Sequence, residues 1–153
     1  MVAVRIEPFL ADDLPAIAAI EAETVSPWSA AQLAAETERP GGWRYVARRH
    51  EGGVVGYLCG YTVADEAEIL KLAVAGSHRR QGVAARLLAH ALANLAARGV
   101  HRLYLELRVG NQPARRLYEK FGFRASGVRK GYYQHPPEDA LLMEKTITRG
   151  EGS

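Results

Sequence analysis

The stretch HRRQGVAARLLAH, His78 to His90, sets basic residues and a glycine at the start of an amphipathic run. A helix start exposes unpaired backbone N–H groups and the positive end of the helix dipole, so a turn of this kind can hold an anion. Gly82 removes a side chain where a phosphate would approach the main chain, and Ala84 keeps the next approach small. Arg79 and Arg80 add fixed positive charge. A phosphate or pyrophosphate fits such a turn; a glycine turn with solvated arginines is the plain alternative. The Gly-Lys-Ser/Thr ending of a P-loop is missing, and so is the Gly-x-Gly-x-x-Gly of dinucleotide folds.

A second group with chemical potential lies in HRLYLELRV, which alternates strictly. Leu103, Leu105, Leu107 and Val109 face one way, and Tyr104, Glu106 and Arg108 the other. Glu106 is the only carboxylate of that strand, free for proton transfer or paired as a surface charge with Arg102 or Arg108. Tyr118 belongs to the apolar face of the next helix, where a tyrosine can pack its ring and still present its hydroxyl.

Those residues need elements to hold them. Val2 to Glu7 alternates like a strand, and Pro8 ends it. A helix starts near Asp12, with Pro15 in its first turn and Leu14, Ile17 and Ile20 on one face. The loop VSPWS follows, and Ser29 with Gln32 has capping-box spacing for a second short helix. Trp43–Arg49 and Val54–Ala64 read as a hairpin, and a tight turn at Asp65-Glu66 leads into the strand Ala67–Val74. From Ala84, the positions Leu87, Leu88, Ala91, Leu92 and Leu95 repeat with helical spacing, and Gly99 ends the helix. Asn111 caps a helix with the face Ala114, Leu117, Tyr118 and Phe121, ended by Gly122. Strands over 123–129 and 140–148 flank the loop GYYQHPPED. The expected order is β-α-α-β-β-β-α-β-α-β-β, an α+β fold around a mixed, mostly antiparallel sheet, in one domain over 1–148 with a frayed tail at 149–153.

The composition narrows the class. With 48% apolar and 24% charged residues in 153, the chain reads as one soluble globular domain with room for a core. The net charge of +3 is too small to argue for nucleic acid, and the basic clusters come without an aromatic stacking motif. Cys59, the only cysteine, lies in the apolar run VVGYLCGYTV and reads as a small buried hydrophobe. The histidines show no metal-ligand spacing, so no metal is expected. No leader pattern and no membrane-length apolar run is visible, making the cytoplasm the default compartment and a monomer or weak oligomer the expected state.

Taken together with their order, RRQGVA, AEIL, YLELR, LYEKFGF and PWS are similar to the motifs of the GNAT N-acetyltransferase superfamily. Within it the chain most resembles the RimI-type ribosomal-protein alanine N-acetyltransferases, over essentially its whole length. The resemblance implies acetyl-CoA as cosubstrate and a protein N-terminus, such as the N-terminal alanine of a small-subunit ribosomal protein, as acceptor. It places the pyrophosphate on the turn Arg79, Arg80, Gln81, Gly82, Val83 and Ala84. It runs the pantetheine arm along the main chain of Leu72, Ala73 and Val74, and has Asn111 contact that arm.

By the same resemblance Glu106 matches the catalytic base and Tyr118 the acid that protonates the departing thiolate. Pro27 and Trp28 on one side, and Tyr132 and Tyr133 on the other, match the walls of the acceptor cleft; a hydrophobic staple and simple loop packing are the bland alternatives. The pattern is broken at Lys71, where this type usually carries a small polar residue, and in the AVAGSHRR and RVGNQPA segments, the latter with Gly110 and Pro113. The rival readings are a lysine or small-amine (polyamine) acetyltransferase, with Glu138 and Asp139 as acidic acceptor-site residues, and a non-enzymatic acyl-CoA-binding regulator.

Overall fold

The computed structural model describes residues 3–147; the expected strand start at Val2, strand end at Thr148 and the tail 149–153 lie outside them. The elements run β1 (Val4–Pro8), α1 (Leu14–Glu21), α2 (Ala30–Glu36), β2 (Gly42–Arg49), β3 (Val54–Val63) and β4 (Glu66–Val74). They continue with α3 (Val83–Ala97), β5 (Arg102–Arg108), α4 (Gln112–Lys120), β6 (Arg124–Gln134) and β7 (Pro137–Thr146), the order read from the sequence. Local chemistry sets the helix starts. Ser29 Oγ accepts from the Gln32 amide at 3.1 Å while the Ser29 amide donates to Gln32 Oε1 at 2.7 Å, a closed capping box. Asn111 Oδ1 accepts from the Ala114 amide at 3.2 Å at the head of α4.

The strands form one sheet in the order β1-β2-β3-β4-β5-β7-β6, antiparallel except where β4 meets β5. Side chains alternate across it, so each face buries its own cluster. On one face α1 and α2 cover Phe9, Val46, Tyr57 and Cys59 with Ile17, Ile20 and Leu33. On the other, Leu87, Leu88, Ala91 and Leu95 of α3 pack with Leu58, Leu103, Leu105 and Leu107. Each fully buried leucine contributes roughly 2 kcal/mol, so the α3 leucines hold the turn before that helix in a fixed place. No helix among the described residues is long and apolar enough to cross a membrane.

One feature of the sheet was not visible in the strand pattern. β4 and β5 pair only at Glu66–Arg102, Ala67–Leu103 and Glu68–Tyr104. Beyond these, β4 follows β3 as far as Val74, while β5 follows β7 through Arg108. Along β3, Cys59 faces Lys71 but Gly60 faces Ile69, so Leu70 is an extra residue in β4. Such a bulge bends its strand and disrupts the local ladder. The two central strands therefore part, and the sheet opens between them.

The last hairpin corrects an expectation. Gly131 to Asp139 is not a loop: β6 runs on to Gln134 and β7 begins at Pro137. Consecutive tyrosines favour a pleated strand. The ladder is irregular between Arg129 and Tyr133, where Gly131 has φ +63° and its amide donates to Asp139 Oδ1 at 2.8 Å. A bulge of this kind re-aims side chains, and it sets the Tyr132 and Tyr133 rings edge to face, 5.1 Å apart.

Candidate active site

The opening between β4 and β5 holds a cavity of about 450 Å³. Glu68, Leu72 and Ala73 of β4 line one wall; Glu106, Asn111 and Tyr118 line the opposite one. Trp28 from the α1–α2 loop and Tyr132 and Tyr133 from β6 complete its rim. Eight residues singled out in the sequence thus meet in one space. Pro27, Val74 and the turn over 79–84 do not line it.

Glu106 emerges from the solvent-facing register of β5, with Leu105 and Leu107 locked in the core on its two sides. Its side chain is 23% exposed and lies 3.6 Å from Arg129 of β6. Neither Arg102 nor Arg108 takes that role, which corrects the pairing expected from adjacency. Arg108, on the same strand face, reaches instead toward the α1–α2 loop and the β6–β7 hairpin. The interaction with the Glu106 carboxylate holds the Tyr132 phenol above its ordinary range. Burial, and next the nearby Glu106 charge, hold the Glu68 carboxyl above its usual range. Nothing in AEIL marks Glu68, because the place where β4 stops pairing with β5 leaves no trace in the strand's own sequence.

Tyr118 is 6% exposed, its ring edge-on to Phe123 at 5.4 Å. Its hydroxyl has no hydrogen-bond partner among the described residues, and burial pushes the phenol well above its ordinary range. The ring therefore serves the core while the proton stays in place at neutral pH.

The basic turn lies just beyond β4. Gly82 is the N-cap of α3 in a left-handed conformation, φ +81°, and brings no side chain to the first-turn amides. A Cβ at Gly82 would meet nothing of the protein. Arg80 also has a positive φ of 62°. Val83 is buried, so its side chain anchors the helix and only its main chain faces the turn. Arg79 is not free: its Nε donates to the Val74 carbonyl at 3.1 Å, and Glu23 lies 3.6 Å away. Glu23 also accepts from the Gly76 amide at 2.7 Å, tying the turn to the end of α1.

A further carboxylate escaped the sequence reading. Glu21 is fully buried and accepts from Tyr57 Oη at 2.6 Å, the Trp28 amide at 2.7 Å and Lys71 Nζ at 3.1 Å. Lys71 also sits 5.3 Å from the Trp28 ring centre. The available signal was spacing: Glu21 follows Ile17 by one helical turn, on the buried face of α1. Glu138 and Asp139, candidates for an acidic acceptor site, turn inward on the protein instead. Glu138 binds Arg108 and the Gly110 amide, and Asp139 the Gly131 amide.

Cys59 takes no part in the cavity. It is buried, and desolvation, then the Glu36 charge, push its thiol up to about 12. Iodoacetamide at neutral pH is expected to leave the native protein unlabelled and to label it fully in denaturant, read by intact mass. Rapid labelling of the native protein would contradict this burial.

A mixed sheet parted at its centre, a bulged fourth strand and a glycine turn heading the next helix define the acetyltransferase fold class. The model of the acetyltransferase (GNAT) family matches residues 11–123. The chain belongs to this family and is an N-acetyltransferase. It is 35% identical over 141 residues to the ribosomal protein bS18-alanine N-acetyltransferase of Escherichia coli strain K12, covering 89% of this chain and 93% of that one. The namesake of Haemophilus ducreyi is 32% identical over 144 residues, covering 90% and 97%. The crystal structure of the ribosomal-protein-S18-alanine N-acetyltransferase from Escherichia coli superposes with a TM-score of 0.89 over 99% of both chains, at 31% identity.

Proposed function

We propose that the protein transfers acetyl from acetyl-CoA to a protein α-amine, with the N-terminal alanine of ribosomal protein bS18 as the preferred acceptor. The observation that carries the reading is that Glu106 and Tyr118, from different elements, line one cavity with the aromatic rim of Trp28, Tyr132 and Tyr133.

The cosubstrate enters the parted sheet. Main-chain groups of Leu72, Ala73 and Val74 pair with the pantetheine arm as a neighbouring strand would, and an amide near Val74 polarises the thioester carbonyl. The amides from Arg80 to Ala84 receive the pyrophosphate, with Arg79 and Gln81 beside them and Asn111 against the arm. Glu106 takes the proton of the acceptor ammonium, directly or through water. The amine nitrogen then attacks the thioester carbon and the C–S bond breaks; Tyr118 gives its proton to the departing sulfur, and the second proton that the nitrogen sheds on becoming an amide restores the phenol through solvent. A free α-amine titrates near about 8 and a lysine near about 10.4, so an N-terminus needs far less help to lose its proton.

Gly82→Ala tests the turn. A Cβ there is strained by the left-handed backbone and projects into the space over the amides. The KM for acetyl-CoA is expected to rise about tenfold, the equivalent of roughly 1.4 kcal/mol, with the peptide KM unchanged. An unchanged acetyl-CoA KM would move the pyrophosphate elsewhere.

The presence of Glu68 beside Glu106 favours a second reading, in which a small polyamine is the acceptor and both carboxylates hold its ammonium groups. Incubation with acetyl-CoA, an alanine-initiated peptide panel and polyamines, followed by mass spectrometry, separates the two. Acetyl on the α-amine alone supports the main reading, and acetyl only on polyamines or lysine side chains overturns it.

A further inference from the structure

Past Glu68 and Tyr104 nothing in the ladder joins β4 to β5, yet both strands reach one residue. Lys71 of β4 donates from Nζ to the Ser26 carbonyl at 3.2 Å. Arg108 of β5 donates from Nη2 to Ser26 Oγ at 2.5 Å. The Ser26 hydroxyl in turn donates to the His135 carbonyl at 3.2 Å, at the tip of the β6–β7 hairpin. Arg108 binds the same tip directly, through the Pro136 carbonyl at 2.8 Å and the His135 carbonyl at 3.2 Å, and lies 4.3 Å from the Tyr133 ring centre. Ser26, Lys71 and Arg108 all line the cavity.

We infer that Ser26 is a bridge between the two parted strands, and that Ser26, Lys71 and Arg108 are positioning residues that fix the width of the acceptor mouth. The wall carrying Trp28 and the wall carrying Tyr133 are held at one spacing because both are fastened through this residue. Each cationic arm has its own counter-ion: Glu21 for Lys71 at 3.1 Å and Glu138 for Arg108 at 3.2 Å. The bridge therefore adds no net charge to the mouth, where Glu68 and Glu106 stand with Arg129 beside Glu106. This is also how a lysine is tolerated at a position where a small polar residue was expected. A preset mouth spares the acceptor the cost of ordering two loops on binding.

The inference rests on the cleft being the acceptor site, and its test keeps the two apart. Steady-state kinetics use the full chain, acetyl-CoA and an alanine-initiated hexapeptide. Ser26→Ala removes the hydroxyl with its bonds to Arg108 and His135 and is expected to raise the peptide KM about fivefold. The acetyl-CoA KM stays within about twofold, and Ser26→Thr, which keeps the hydroxyl, recovers the peptide KM. Arg108→Lys keeps the charge but not the planar fork, and is expected to cost about tenfold. Combined with Ser26→Ala it should cost clearly less than the product of the two, since both remove the Arg108–Ser26 contact. A peptide KM unchanged in Ser26→Ala, or acetyl-CoA and peptide KM values rising together, overturns the bridge. If the wild-type chain turns over no N-terminal peptide, the acceptor reading fails and the bridge fails with it.

Discussion

Glu106→Gln is expected to lower kcat about 100-fold at neutral pH, within the range that a positioned base contributes. Glutamine keeps the shape of the side chain and cannot take a proton. Binding of acetyl-CoA, measured by calorimetry, should persist, because the proposed pyrophosphate turn over 79–84 lies outside the cavity that Glu106 lines and the arm is received by main-chain groups of β4 that the substitution does not touch. The loss has a definite pH dependence. As pH rises past the acceptor amine's own pKa of about 8, solvent removes the proton that Glu106 would have taken, and the gap to the wild type narrows. A variant with full turnover at neutral pH would assign proton removal to another group, with Glu68 first in line.

Glu21→Ala is the largest expected effect on stability, a loss of about 3–5 kcal/mol in urea unfolding at unchanged slope. Three donors converge on this carboxylate: the Tyr57 hydroxyl, the Trp28 amide and Lys71. Removing it leaves a phenol, an amide and an ammonium without their acceptor in a buried place, and opens a cavity beside Ile17 and Ile20. Glu21→Ala with Lys71→Met should recover part of the loss, since no unpaired charge then remains. A loss under about 1 kcal/mol in the single variant would show that the carboxylate is not what seats the loop on β4.

The elements were legible where a single periodicity governs a segment. The leucines of α3 and the alternation of β5 state their partners' faces outright, and the capping box at Ser29 and Gln32 fixed the start of α2 before any tertiary contact. The glycine turn was legible for a similar reason, since only a local backbone conformation is at stake. What could not be read depends on register between distant strands. The parting of β4 from β5 follows from a bulge at Leu70 and from β5 choosing β7, neither of which leaves a mark in either strand's own sequence. The alternation of β5 shows that Glu106 lies off the leucine face but says nothing of its partner, which comes from another strand. Arg129 comes from β6, and Arg108 is drawn off by Ser26 and Glu138. Glu21 is not legible as a buried group, because a carboxylate at the end of a helix ordinarily faces water and only the convergence of Tyr57, Lys71 and Trp28 makes its burial tolerable. The hairpin that carries Tyr132 and Tyr133 is not legible, since the prolines and glycine around them read as loop punctuation.

The gap at the centre of the sheet has a consequence for what its unpaired strand edge can accept. An unpaired strand edge attracts any extended chain, and proteins usually guard such edges at the outside of a sheet with charge, bulges or short strands. Here the half of β4 from Leu70 to Val74 turns its unpaired side inward, toward β5 rather than toward bulk solvent. A narrow extended molecule can slide into that slot, whereas the strand of a second folded copy, carrying its own sheet behind it, cannot. The slot thus keeps the main-chain adhesiveness of a sheet edge for a slim guest.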